Sequence, residues 1–548
     1  MNTQLKSVPS QPASTSEAGL KSTMELFKSR ESQEIVIAFA GPIGCGIGSV
    51  NTKAAEVLKE LGYQVKKVKL SKFLQDCLND KLVETLPKRE ADSDKFTRYR
   101  NLQHAGGKLR DRFKSMALLA EFAAKEIRVY RDANSNDVVN NDISQLGKSE
   151  PQRAAYLIDQ VKRPEEVELL RVLYRHLFYL VGVTKSYAQR HKTLADEGIS
   201  SDEITELMEI DRNETGEDSG QRLGKTLHLA DFFIRNDDSL DQRESIRRFV
   251  RLIHGDKTLT PNRLETGMYA AYAAGLRSAC LSRQVGAAIT NLSGEILATG
   301  CNDVPTAGGG LYREDDESRS DKRCVHLQDA KCFNDLEKHK LKQSIGEVLK
   351  HHLDALNLEQ EISSSLLTEF QNSIYDKTRL GSLIEFSRSV HAEMDAIVSL
   401  ARRGGPGLLD ATLYTTTFPC HSCARHIVAA GISQVFYIEP YEKSLAQELH
   451  KDAIAFEDLR PISTISNTNA KQEKLVQFLH FEGVSPRLFA VVFRAEDRKE
   501  KRTGKYVPIA AVNPAKVLAE YLDKYQEFET VAVSNFDTKW NELVSSPS

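Results

Sequence analysis

His391-Ala-Glu393 and Pro419-Cys420-His-Ser-Cys423 constrain this chain most, because one imidazole and two thiolates can serve a single zinc ion only if two separate segments fold against each other. Three protein ligands leave one tetrahedral position open, the arrangement of a catalytic site, where a water's pKa falls to about 7. Glu393 follows His391 closely enough to handle a proton at that position without binding the metal. A lone C-x-x-C also suits a structural zinc knuckle, a redox pair or two buried thiols. None of these requires a Glu just after the His or a Pro before the first Cys.

The surrounding residues supply the local frame. Ser389 to Leu400 reads as a helix with apolar Ile397, Val398 and Leu400, which puts His391 and Glu393 in its first turn. Ala411-Thr-Leu-Tyr-Thr-Thr reads as a strand, and Cys423 to Ala430 as a helix ended by Gly431. Two helix N-termini then face one metal, and their partial positive ends favour thiolate over thiol at Cys420 and Cys423. His421 and His426 read as bystanders.

The combined H-x-E…P-C-x-x-C pattern belongs to zinc-dependent nucleobase deaminases, in which the Glu is the proton shuttle. The segment from about Arg277 to Pro440 resembles the deoxycytidylate deaminases: Ser282-Arg-Gln-Val-Gly-Ala-Ala-Ile289 is similar to their first core strand, and Gly300-Cys-Asn302-Asp-Val-Pro305 to their substrate loop. More narrowly, the whole chain resembles the long bacterial anti-phage dCTP/dCMP deaminases, Glu439-Pro-Tyr-Glu-Lys-Ser-Leu-Ala446 and Gly483-Val-Ser-Pro-Arg487 included. The resemblance implies zinc on His391, Cys420 and Cys423, Glu393 as shuttle, and Asn302 at the sugar. Arg283 is a candidate for the nucleotide phosphate, since a guanidinium offers paired charged hydrogen bonds; an arginine before a strand is also an ordinary surface group. It further implies a hydrolase acting on deoxycytidine nucleotides, a homo-oligomer, and an inhibitory small RNA as partner.

The chain departs from smaller relatives between the substrate loop and His391. An insertion at 311–388 carries the polar run Arg313 to Ser320 and a helical stretch, Leu336 to Leu356. Cys301, Cys324, His326 and Cys332 are candidates there for a second, structural zinc, although their spacing fits no metal motif.

Near the start, Glu34 to Ala40 reads as a buried strand, Gly41-Pro-Ile-Gly-Cys-Gly-Ile-Gly48 as a glycine loop, Val50 to Leu61 as a helix and Gln64 to Leu70 as a second strand. Such a loop lets backbone amides cradle phosphate at a helix N-terminus. Gly41, Gly44, Gly46, Gly48 and Ser49 are therefore candidates for binding a nucleotide. The loop resembles a degenerate P-loop, with Ile47 in place of the lysine and Gly48 in place of the magnesium-binding hydroxyl; Ser49 and Lys53 are the nearest substitutes, and glycine loops in open α/β folds also serve merely as tight turns. Phe113 to Tyr130 and Arg153 to Tyr179 read as helices, and Lys108, Arg110, Arg112, Arg171, Arg175 and His176 in this stretch are candidate lid cations, although exposed helix faces supply such cations equally often. The tail reads as a helix at Lys474 to His480, a strand at Leu488 to Phe493 and a helix at Ala515 to Phe528, completing the second domain.

The fold expected is α/β: a P-loop-like parallel-sheet domain at 33–255 behind a disordered leader at 1–32, then a cytidine-deaminase-like α/β/α sandwich with a five-stranded mixed sheet at 256–548. The first thirty residues are polar and no segment is apolar enough for a membrane span, which reads as cytoplasmic. Eight cysteines there suggest no disulfide framework. A formal net charge of -3 and scattered basic clusters, such as Lys66, Lys67 and Lys69, argue against a polynucleotide track. The alternatives are a housekeeping dCMP deaminase, a polynucleotide deaminase and a non-catalytic nucleotide- or RNA-binding regulator.

Overall fold

A computed structural model describes residues 22–28, 31–134, 153–212, 221–237, 242–316, 321–327, 330–356, 360–405, 407–439, 444–456, 475–494, 498–510 and 514–521. Two six-stranded sheets organise them. The first contains β1 (Ile35–Ala40), β2 (Gln64–Val68), β3 (Ala154–Ile158), β4 (Phe178–Thr184) and β5 (Phe232–Arg235). The second contains β6 (Gly286–Thr290), β7 (Ile296–Cys301), β8 (Thr412–Thr417), β9 (Gln434–Glu439), β10 (Ile454–Phe456) and β11 (Val476–His480). The last strand, β12 (Gly483–Val484), returns to the first sheet and pairs antiparallel with β5.

In the first sheet the order is β12-β5-β4-β1-β3-β2, and β1 pairs parallel with both β3 and β4. Ile35, Ile37 and Phe39 enter one core, with the helices Ile47–Glu60 and Gln242–Ile253; Val36, Ala38 and Ala40 enter another. A strand buried on both faces reads as one apolar run, as Ile35–Ala40 does. The glycine loop leaves β1 at the point where the chain switches from one side of that strand to the other, the usual place for a ligand crevice in an open α/β sheet.

The second sheet runs β10-β11-β9-β8-β6-β7. It is mixed, as expected, but has six strands rather than five, β10 adding an edge. Ala287 and Ile289 point to the core shared with the helices Ala392–Arg403 and His421–Ala429, while Ala288 points to the core shared with the first sheet. The helix Arg263–Gly275 fills that shared core through Met268 and Ala271. Its Glu265 caps its own N-terminus with Asn262, accepts from Arg248 at 2.6 Å and accepts from the Val484 amide at 3.1 Å. One buried carboxylate thus ties the two sheets and the returning chain together.

Several elements differ from the sequence reading. Arg153 to Tyr179 is not one helix: Ala154-Ala-Tyr-Leu-Ile158 is β3, buried throughout, and the helix Pro164–Tyr174 starts only after it. Val476–His480 is a strand between β9 and β10, not a helix. Pro486–Phe493 is a helix, not a strand, because Pro486 after Ser485 starts a turn that a β-branched run alone does not reveal. The tail beyond β12 packs on the first sheet's body, not only the second: Val484, Leu488 and Val492 join its core, and Lys516 donates to the Glu34 carbonyl at 2.8 Å. The expected helix from Ala515 is absent over 515–521, and 522–528 lie outside the described residues. Of the expected leader, Thr23–Lys28 forms a short helix and Ser32 donates to the Glu520 carbonyl at 2.7 Å; residues 1–21 lie outside the described residues.

Candidate metal centre and its cleft

The helix Ala392–Arg403 takes His391 as its N-cap, in extended backbone at φ -77° and ψ 152°, and Cys420 caps the helix His421–Ala429 with φ -68° and ψ 165°. Glu393 lies in the first turn of the former helix. His391 Nδ1 is 3.3 Å from Cys420 Sγ and 3.4 Å from Cys423 Sγ. Tetrahedral zinc with ordinary Zn–S and Zn–N bonds sets each N···S separation at about 3.5 Å, so both N···S separations match the ion. Among the described residues these three form the only His/Cys/Asp/Glu group close enough to share a metal. Glu393 Oε2 stands 3.6 Å from Cys423 Sγ, beside the trio rather than in it.

The electrostatics suit a cation. The Cys420 thiol is held low by its hydrogen bond from Cys423 and by the neighbouring imidazole, and Cys423 is held correspondingly high. His391 is pushed up to about 9 by the Cys420 thiolate. A divalent ion takes the place of those protons. Glu393 is 4% exposed, and its burial pushes the carboxyl up.

A cleft of about 210 Å³ opens on the trio. His391, Glu393 and Cys420 line it together with Arg283 and Asn302, so residues far apart in the chain meet in one cleft. Asn302 also acts as a brace. Its Oδ1 accepts from the Val285 amide at 2.7 Å and its Nδ2 donates to the Arg283 carbonyl at 2.8 Å, which fixes the turn carrying Arg283. Thr417, Phe418 and Ser389 also line the cleft and were not singled out in the sequence. Thr417 and Phe418 directly precede Pro419-Cys420, which was the available signal.

Of the four candidates for a second zinc, Cys324 feels the neighbouring Cys332 and Cys280. His326 meets Asp321 at 3.2 Å, Cys332 approaches Ser282 Oγ at 3.7 Å, and Cys301 offers its backbone amide to Asp395 at 3.1 Å. Among the described residues none joins a metal-sized group. His421 and His426 stand outside the trio, His426 Nδ1 meeting the Ser422 carbonyl at 2.7 Å.

The family comparison falls on the same segment. Residues 261–439 match the cytidine and deoxycytidylate deaminase zinc-binding region. This part of the chain is similar to that zinc-binding region, and its His391, Cys420 and Cys423 cluster falls within the match. ComE operon protein 2 of Bacillus subtilis (strain 168) is 41% identical over 68 residues, 12% of this chain and 35% of that protein. The deoxycytidylate deaminase of Enterobacteria phage T4 is 26% identical over 179 residues, 33% of this chain and 79% of that protein. This chain therefore spans about a third of the first relative and most of the second. Among solved structures, dCMP deaminase from the cyanophage S-TIM5 in complex with dCMP and dUMP matches at 19% identity over 35% of this chain and 93% of that one, with a TM-score of 0.21. The deaminase region coincides with the helices and strands that build the cleft, and it stops before β10 to β12.

The glycine loop lines a second cavity of about 320 Å³ under the first sheet's C-terminal edge. Gly44 and Gly46 have φ of 79° and 77°, and a Cβ on Gly46 would lie 2.5 Å from Asn236 Nδ2, so both positions require glycine. Ser49 and Lys53 do not line the cavity; Lys53 instead donates to Gln242 at 2.5 Å. The lysine that does is Lys162, from the turn after β3, which donates to the Gly41 carbonyl at 3.0 Å and to Asp211 at 2.6 Å. Asp211 also accepts from the Ile43 amide at 2.6 Å, so a carboxylate already holds one donor of the loop. Of the candidate lid cations only Arg110 lines the cavity, and it is paired with Glu166 at 2.8 Å.

Proposed function

We propose that the chain hydrolyses the exocyclic amine of deoxycytidine nucleotides, converting dCMP, dCTP or both to the uracil forms. The observation that carries this reading is one cleft lined by His391 and Cys420 of the metal trio together with buried Glu393, Arg283 and Asn302. The phage T4 relative, by name a deoxycytidylate deaminase, supports the same substrate class. Zinc bound by the trio supplies the Lewis acidity that makes water a nucleophile near neutral pH. Glu393 takes the proton of the attacking water, protonates ring N3, and passes a proton to the departing amine, so that water and cytosine leave as uracil and ammonia. A carboxyl raised by burial suits both halves of that transfer. Arg283 and the turn braced by Asn302 orient the nucleotide by its phosphate and sugar.

Depletion of deoxycytidine nucleotides in anti-phage defence is the physiological reading we attach, on the resemblance to the long defence enzymes; steady supply of dUMP is the alternative. Incubation of the purified chain with dCMP, dCTP, CMP, CTP and a cytosine oligonucleotide, with products resolved by mass, tests the chemistry. Conversion of dCMP or dCTP is expected. Deamination of the oligonucleotide with free nucleotides untouched would sink the reading in favour of polynucleotide editing.

For the first body we propose a nucleotide or phosphate ligand in the glycine-loop cavity, supported by the loop's two left-handed glycines and by Lys162 at its wall. Calorimetric titration with a nucleoside triphosphate is expected to show binding that weakens at least tenfold in Lys162→Ala and strengthens in Asp211→Asn, which removes the competing carboxylate. Equal affinity in all three proteins would remove Lys162 and Asp211 from the site.

A further inference from the structure

Glu439 ends β9 at the mouth of the zinc cleft, and three side chains converge on its carboxylate. Thr417 Oγ1 donates to Oε2 at 3.1 Å, Arg283 Nη1 donates to Oε1 at 3.2 Å, and His228 Nδ1 stands 3.9 Å from Oε2. Thr417 and Arg283 line the cleft, whereas His228 ends the helix Leu223–His228 of the first sheet's body. The Glu439 side chain is 19% exposed and that of Arg283 is 46% exposed. Glu439 therefore sets a carboxylate directly behind the cleft's cation.

Among the described residues that line the cleft, Arg283 is the one lysine or arginine. Its guanidinium has five N–H donors, and Glu439 uses one of them, which leaves an edge of the fork for an incoming phosphate. A single phosphate there meets a cation. Further phosphates on the same side add negative charge near Glu439 and, among the described lining residues, find no second arginine or lysine to offset it.

We propose that Glu439 sets the phosphate-number preference of the cleft by disfavouring a nucleoside triphosphate relative to the monophosphate. This deepens the nucleotide-deaminase reading and rests on it. Glu439 touches no reacting atom; it acts through its charge and through Arg283, as a specificity-determining residue.

The full-length chain, with Glu439→Gln and Glu439→Asp, should be assayed on deoxycytidine, dCMP and dCTP at low and high salt. Glu439→Gln is expected to raise the ratio of kcat/KM for dCTP to that for dCMP about 5-fold, the size of one charge removed at this range in a partly solvated site. Deoxycytidine turnover should stay within about twofold, the gain should shrink as salt screens it, and Glu439→Asp should keep the original ratio. Calorimetric affinities for dUTP and dUMP should move by the same ratio without any turnover. A ratio that is unchanged or lowered in Glu439→Gln overturns the proposal, as does an equal loss on all three substrates, which marks a purely structural role. If the unmodified chain converts none of the three, the deaminase reading itself fails and takes this inference with it.

Discussion

A Glu393→Gln variant is expected to keep its zinc and lose turnover by about 10³- to 10⁴-fold, the scale of a lost general acid–base group. The amide has the shape of the carboxyl it replaces and no charge to bury, and Glu393 is only 4% exposed. The fold should therefore tolerate the change. What disappears is the ability to accept a proton and return it. His391, Cys420 and Cys423 keep their separations of 3.3 and 3.4 Å because Glu393 is not a ligand, so metal content should match that of the unmodified protein. Measuring kcat alongside zinc by mass spectrometry separates the two roles. A variant that retains activity within tenfold would remove Glu393 as the shuttle. One that loses zinc and activity together would make it part of the metal site.

The contrast between what the sequence exposed and what it hid follows from the range of the interactions. The metal trio was legible because its ligands sit at helix starts, and a helix boundary leaves local marks: Pro419 before Cys420, Gly431 where the second helix ends with φ 76°. The β1 strand and its glycine loop were legible for the same reason. Lys162 was not, because it reaches the Gly41 carbonyl across 121 residues of sequence and nothing around it departs from an ordinary loop. Ser49 and Lys53 lay at nearly the right spacing, but the helix beginning at Ile47 turns Lys53 toward Gln242. The errors at Ala154–Ile158 and Val476–His480 share one cause: both strands sit inside parallel pairings, where burial on two faces erases the alternation that distinguishes a strand from a helix. Pro486–Phe493 was misread the opposite way, its β-branched and aromatic content outweighing the helix start at Ser485-Pro486. The return of β12 to the first sheet could not be read at all, since a two-residue strand has no period.

Gly300→Ala is expected to damage both stability and catalysis, more than any change of comparable size on the exposed surface. Gly300 lies in β7 where the helix Ala392–Arg403 crosses it, and a Cβ there would come within 2.2 Å of the Ala392 carbonyl and 2.5 Å of the Ala396 amide. Both contacts are backbone, so no rotamer change relieves them and the helix must lift. The lift falls between His391 and Glu393, the two residues whose placement relative to Cys420 and Cys423 defines the site. Overpacking of this kind costs about 1–3 kcal/mol, and a shift of about 1 Å at the reacting groups costs about 10²-fold in rate. Gly286→Ala is the informative comparison. Its Cβ would meet the Ala271 carbonyl at 1.9 Å, on the helix Arg263–Gly275 rather than on the helix carrying the zinc ligand. That variant should lower the melting temperature by a similar amount while its folded fraction keeps zinc affinity and kcat closer to those of the unmodified protein. Gly48→Ala, where a Cβ meets nothing within 4 Å, should be close to neutral. Melting curves, zinc titration and kcat on the three proteins settle the matter: if Gly300→Ala and Gly286→Ala lose rate equally, the close approach of β7 to the His391 helix is not what places the catalytic pair.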